Sequence, residues 1–150
     1  MTTLSKPFTT PSANWIFYLI RNGNSTYAGV SPTPELRLRK HNGEIKGGAK
    51  YTLSKGPGWS HICLISGFHD KIQALQFEWA VKHIPPRNVG GLEARLMKLN
   101  LLLQKERWTM KAPLAATVPL TIEWKLQEAE DIFKTFTTTP NYIFHKLLGI

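Results

Sequence analysis

Five side chains of this sequence could, if brought together, cut a phosphodiester bond: Tyr18, Tyr27, Arg37, His41 and Glu78. Such a reaction needs a divalent cation to hold the phosphate and neutralise the leaving oxygen. It needs a fixed positive charge against the negative charge that builds around five-coordinate phosphorus, and a group that takes a proton from water. A lone carboxylate such as Glu78 suits Mg²⁺, which keeps water in its remaining positions. The fork of an arginine such as Arg37 matches phosphate oxygens. Tyrosine is a weak base near neutral pH, so Arg37 or a metal-bound hydroxide would have to assist it. Each residue also has a plain structural reading. The tyrosines could be a cross-strand aromatic pair and Arg37 a solvated helix cation. Glu78 could be an ion-pair partner, and His41 could cap the end of its helix.

The elements that must position these groups are readable in outline. WIFYLI (15–20) is a short aromatic and branched run that reads as a strand, and STYAGV (25–30) reads as its return. Asn22-Gly23 between them suits a tight hairpin turn, which would set Tyr18 opposite Tyr27. A turn at Gly23-Asn24 instead sets Tyr27 opposite Ile20, still on the face of Tyr18, whereas a three-residue loop would separate them. Thr33 as N-cap and Pro34 at the first helical position start a helix through ELRLRKH (35–41) that ends near Asn42 and Gly43. Arg37 and His41 are four apart on it and share a face. A long glycine-rich loop follows over 43–59, and such loops are commonly functional. WSHICLISGF (59–68) reads as a third strand. Asp70 caps a second helix, with Gln73 completing a capping box. Its expected apolar stripe is Ile72, Leu75, Trp79 and Ala80, with Glu78 at the edge. Pro85-Pro86 stops it. GLEARLMKLNLLLQKE (91–106) reads as a third helix, VPLTIEW (118–124) as a short extended segment and LQEAEDIFKTF (126–136) as a last amphipathic helix. Trp79, Trp108 and Trp124 are expected in the core, while Trp59 is either core or a base-stacking platform.

The totals agree with a nucleic-acid partner. In 150 residues, 19 Lys and Arg stand against 10 Asp and Glu, a net charge of +9. Between Arg37 and Lys55 lie Arg39, Lys40, Lys46 and Lys50 as well, with Glu44 as the only acid. On a glycine loop holding Gly47 and Gly48, these cations read as a surface for the DNA backbone. The single cysteine, Cys63, forbids an internal disulfide and a cysteine-rich zinc site. It fits a reducing, intracellular setting, nuclear or cytoplasmic. No run approaches the ~20 apolar residues of a membrane span, so no membrane partner is expected.

The pattern FYLI…YAGVS…ELRLRKHNG…LQFEWA resembles the GIY-YIG nuclease superfamily, and within it most closely the catalytic subunit of the eukaryotic Slx-type structure-specific endonuclease. RLRKHNG (37–43), GGAKYT (47–52), the GPGW loop, ALQFEWA (74–80), LLLQKERW (101–108) and PLTIEW (119–124) carry the likeness over about residues 14–125. The resemblance implies that Tyr18 and Tyr27 are the tyrosines of the two motifs, Arg37 the catalytic arginine, Glu78 the metal-binding glutamate and His41 an assisting residue. It implies Mg²⁺ or Mn²⁺, branched or flap DNA, and ends bearing 5′-phosphate and 3′-hydroxyl. Two motif positions depart: Ile16-Phe17-Tyr18 lacks its glycine, and Tyr27-Ala28-Gly29 has Ala for Ile. The Slx-type subunit meets a scaffold protein through a RING-like zinc domain. One cysteine cannot build that domain, so the scaffold contact is not expected. A homodimer remains compatible with the sequence. The expected fold is α/β, a small, mainly antiparallel three-stranded sheet flanked by helices with a helical C-terminal extension. The expected division is a flexible segment over 1–13, a nuclease core over 14–89 and the extension over 90–150. The rival function is a module of the same fold that grips nucleic acid without cutting it.

Overall fold

A computed structural model of the chain describes residues 14–146 and residue 148, so the expected N-terminal segment 1–13 lies outside the described residues. The fold is α/β. Strands β1 (Ile16–Asn22) and β2 (Ser25–Ser31) form a hairpin, followed by helix α1 (Pro34–His41) and the single-turn helix α2 (Lys50–Ser54). Then come β3 (Ser60–Ser66), α3 (Lys71–His83), α4 (Leu92–Leu103), β4 (Leu120–Trp124), α5 (Gln127–Phe133) and β5 (Ile143–Lys146).

The sheet has five strands in the order β2-β1-β3-β4-β5, antiparallel except for the β4–β5 pair. The three-stranded expectation is corrected by the C-terminal part, which adds strands to the sheet as well as helices. In β4, Leu120, Ile122 and Trp124 are buried while Thr121 and Glu123 alternate outward, the period-2 pattern of a strand. Four-residue β5 buries only Ile143, too short a pattern to show in sequence. One-turn α2 escapes notice for the same reason, since a helical period needs more than five residues to appear.

The hairpin turn sits at Gly23-Asn24, one residue later than the Asn22-Gly23 reading. Asn22 pairs with Ser25 as a strand residue, and Gly23 has φ +60. Tyr27 therefore faces Ile20, and Tyr18 faces Gly29, with both tyrosines on one side of the sheet. On that side Tyr18, Ile20, Trp59 and Leu64 form a small cluster joined by Tyr27 and Leu38 of α1. The opposite side carries the main core, where Phe17, Leu19, Cys63 and Ile65 meet α3, α4 and the C-terminal elements.

The buried side of α3 is Ala74, Phe77, Ala80 and Val81. Ala80 was expected there, but Ile72, Leu75 and Trp79 are exposed, Trp79 by 56%. Apolar residues surround this helix, so spacing alone leaves its orientation undecided. The choice falls to Phe77, which packs edge-on against Phe17 at 5.1 Å and Trp108 at 5.1 Å. Trp79 stacks instead on His83 at the surface, 4.1 Å between rings. Trp108, Trp124 and Trp59 are buried. Asp70 caps α3 by accepting from Gln73 N–H (2.9 Å), while Gln73 Oε1 accepts from His69 N–H (2.8 Å), one residue before the cap itself. The Thr33 side chain makes no cap bond; Ser31 Oγ accepts from Thr33 N–H (3.0 Å) in its place.

Candidate active site

Tyr18 and Gly29 explain each other. Tyr18 is buried in β1 directly opposite Gly29 of β2. A Cβ added at Gly29 would lie 2.3 Å from Tyr18 Oη, so only glycine lets the phenol lie across β2. Because β2 is the edge strand, the hydroxyl is carried toward the margin of the sheet.

His41, the last residue of α1, is fully buried. Its Nε2 is 2.7 Å from Tyr18 Oη, and its Nδ1 is 2.7 Å from Thr52 Oγ1. Its ring also lies 5.0 Å from that of Tyr27. Both ring nitrogens point inward, so a solvated cap on the helix end is not what this side chain forms. Burial pushes its pKa down to about 4, helped by the charge of Arg37, so His41 is neutral near pH 7. Burial also pushes Tyr18 up to about 12; Arg37 opposes this, and Tyr27 and Glu78 add to it.

Arg37 is half-buried beside this pair and donates one N–H to the carbonyl oxygen of Gly47. Glu78 comes from α3, which belongs to the opposite layer, yet its charge reaches Tyr18. Its carboxylate accepts from Lys82 Nζ at 2.8 Å, and that ammonium lies 5.1 Å from the centre of the Tyr27 ring. The five sequence-derived residues are thus brought to one place. The ion-pair reading of Glu78 holds as well, since Lys82 occupies one carboxylate oxygen. The Glu78 side chain is 18% exposed. Among the described residues no three His, Cys, Asp or Glu side chains gather as a metal cage. A partly open single carboxylate fits a hard, hydrated Mg²⁺ or Mn²⁺ ion rather than one enclosed by protein ligands.

The cations of the loop do not form one uniform surface. Lys46, Lys50 and Lys55 are exposed, and Lys55 lies 5.4 Å from the centre of the Tyr51 ring. Arg39 is paired with Glu44 at 3.2 Å. The half-buried Lys40 packs against Gly47, and a Cβ at Gly48 would lie 2.2 Å from the Lys40 carbonyl oxygen. Gly48 is therefore required by close chain passage beside α1, and Gly47 by its φ of +113. Trp59 is 3% exposed and donates to the Thr52 carbonyl at 3.0 Å, which makes it core and leaves Tyr51 as the exposed ring nearby. Two side chains absent from the sequence-based set stand at the site: Thr52 behind His41, and Lys82 between Glu78 and Tyr27. Lys82 could have been found from its i, i+4 spacing to Glu78.

Residues 14–84 match the family described as the GIY-YIG catalytic domain. The chain is 37% identical over 109 residues to a structure-specific endonuclease subunit slx1 of Aspergillus terreus, covering 61% of this chain and 28% of that protein. It is 54% identical over 59 residues to the subunit of the same name from Schizosaccharomyces japonicus, covering 39% of this chain and 21% of that protein. In Schizosaccharomyces pombe the corresponding figures are 49% over 59 residues, 39% and 21%. The chain thus spans under a third of the length of these relatives. Residues 14–84, the part of the chain that holds Tyr18, Tyr27, Arg37, His41 and Glu78, are thus similar to the GIY-YIG catalytic domain.

Proposed function

We propose that the protein is a metal-dependent, structure-selective DNA endonuclease that hydrolyses phosphodiester bonds in branched or flap DNA, leaving 5′-phosphate and 3′-hydroxyl ends. The observation that carries this reading is the gathering of a neutral imidazole, a guanidinium and a carboxylate around the phenol of Tyr18. The relatives' names describe structure-specific endonuclease subunits, which supports the substrate class.

Water attacks phosphorus in line with the leaving oxygen. Bound to Glu78, Mg²⁺ or Mn²⁺ would neutralise charge on the phosphate and the leaving oxygen. Arg37 pairs with the non-bridging oxygens and stabilises the charge they gain. Tyr27 positions water or phosphate. Tyr18 is a phenol near pH 7 and cannot act as a base by itself. With His41 Nε2 at 2.7 Å, however, its oxygen can take a proton from water as its own proton passes to the imidazole. Burial is the main reason that His41 stays neutral, and the charge of Arg37 adds to it; a phosphate held by Arg37 offsets that second part and so favours the transfer. The same Tyr18–His41 pair orients the attacking water. The nucleic-acid surface is assigned to Arg39, Lys40, Lys46, Lys50 and Lys55, with Gly47 and Gly48 shaping the loop.

The test is a cleavage panel of flap and four-way-junction DNA with Mg²⁺, with and without EDTA. Glu78→Gln should abolish products while DNA affinity stays largely intact, because the basic surface is untouched. Arg37→Ala should behave alike. Undiminished cutting by the Glu78→Gln protein would remove the mechanism. The Lys82–Glu78 contact at 2.8 Å favours one second reading, a non-catalytic DNA-binding module whose carboxylate is permanently engaged. Salt-sensitive binding without products in any metal would select it.

A further inference from the structure

We propose that Thr52 is a positioning residue of this site, whose hydroxyl holds His41 in its Nδ1-protonated form and so keeps Nε2 free to receive the Tyr18 proton. The catalytic consequence rests on the nuclease reading; the geometry does not. The Tyr18 hydroxyl has one proton to give. The guanidinium of Arg37 beside it can only donate. The acceptor within reach is His41 Nε2 at 2.7 Å, so that nitrogen carries the lone pair. A neutral imidazole then bears its proton on Nδ1. Thr52 Oγ1, 2.7 Å away, can accept it while passing its own proton to the Ala49 carbonyl oxygen at 2.9 Å. All four groups are satisfied in this direction. In the reverse direction His41 would donate to Tyr18, and the phenolic proton would face a donor in a buried site.

The surrounding chain is arranged around this residue. Thr52 is fully buried although it lies on a one-turn helix whose other residues are mostly exposed. Its carbonyl is held by Trp59 Nε1 at 3.0 Å. Gly48 passes against the Lys40 carbonyl so closely that no Cβ fits, which brings Ala49 and Thr52 beside the end of α1. Once His41 has taken the phenolic proton, its Nδ1–H stays bonded to Thr52, so the imidazolium forms without turning the ring.

Thr52→Val keeps the branched shape and removes the hydroxyl, and Thr52→Ser restores it. In the full chain, ¹⁵N NMR of the His41 ring should report Nδ1 protonation in the wild type and the Ser variant, and loss of that form in the Val variant. Single-turnover cleavage of a flap substrate with Mg²⁺ should fall roughly 10- to 100-fold in the Val variant, with DNA affinity unchanged and the Ser variant near wild type. An Nε2-protonated His41 in the wild type would overturn the proposal, as would a folded Val variant cutting at the wild-type rate. Should the Val variant fail to fold, the wild-type tautomer decides alone. A wild type that does not cut would sink the nuclease reading while the NMR result still judges the Thr52 contact.

Discussion

Tyr18 and His41 titrate away from their ordinary values in opposite directions for the same reason: burial resists whichever form is charged. This makes the pair visible to pH. The His41 pKa, about 4 in the folded protein, lies below its ordinary value of 6.5. Between these values the unfolded chain binds the proton that the folded chain refuses, so stability falls as pH is lowered through that window. His41→Gln removes this titration. The stability gap between wild type and that variant should therefore shrink as pH drops from 6.5 toward about 4, by at most about 1.4 kcal/mol per pH unit. Chemical denaturation across the window measures it, and a constant gap would mean that His41 charges freely in the fold. The identities of the candidate site side chains were legible because the chemistry proposed for them restricts their types. Thr52 was not, because a hydroxyl in a short polar run has many ordinary uses, and only the distance to His41 selects one.

Among the elements, the segment between α1 and β3 shows how an irregular loop is made rigid enough to serve a site. Asn42, just past α1, accepts from Gly58 N–H (2.9 Å) and Trp59 N–H (2.7 Å) and donates to the Trp59 carbonyl (3.0 Å). Asn22 at the end of β1 donates toward the carbonyls of Gly56 and Pro57 at 3.1 and 3.2 Å. The two amides clamp the glycine loop from both sides and seat Trp59 under Thr52. Asn42→Ala leaves backbone groups of Gly58 and Trp59 without partners, at a cost of about 1–3 kcal/mol. Amide exchange at Trp59 should then quicken by about tenfold or more, and cleavage should weaken through the displaced Thr52. Unchanged exchange would show that the loop stands without Asn42. Element types were largely readable here, but positions were not. The hairpin turn moved one residue because Asn22 serves this clamp as a strand residue. The stripe of α3 turned because Phe77 meets partners as distant in sequence as Phe17 and Trp108. Neither cause lies within the local window from which a turn or an amphipathic face is read.

At the scale of the molecule, the site depends on one feature of the sheet, its open edge at β2, and on another part of the chain that closes the far side. The family match ends at residue 84, yet the core does not. β4 hydrogen-bonds to β3, and Lys125 N–H bonds to the Ile62 carbonyl at 2.9 Å. Trp108 packs on Phe68 and Phe77, and Leu96, Leu99, Leu103, Leu120, Ile122 and Trp124 are buried in the same cluster as Phe17 and Cys63. At about 2 kcal/mol for each of these seven side chains, their loss would match the whole stability of an ordinary domain. It would also turn the apolar β3 into an exposed edge prone to pairing between chains. We therefore expect a fragment of residues 14–89, which retains all five site residues, to show no cooperative thermal transition by circular dichroism and no cleavage of flap DNA. The full chain should melt in a single transition, because the two parts share one core. A fragment that melts cooperatively would mean that residues 90–150 are dispensable to the fold and only cover it. In that case the site could be carried by the matched segment alone.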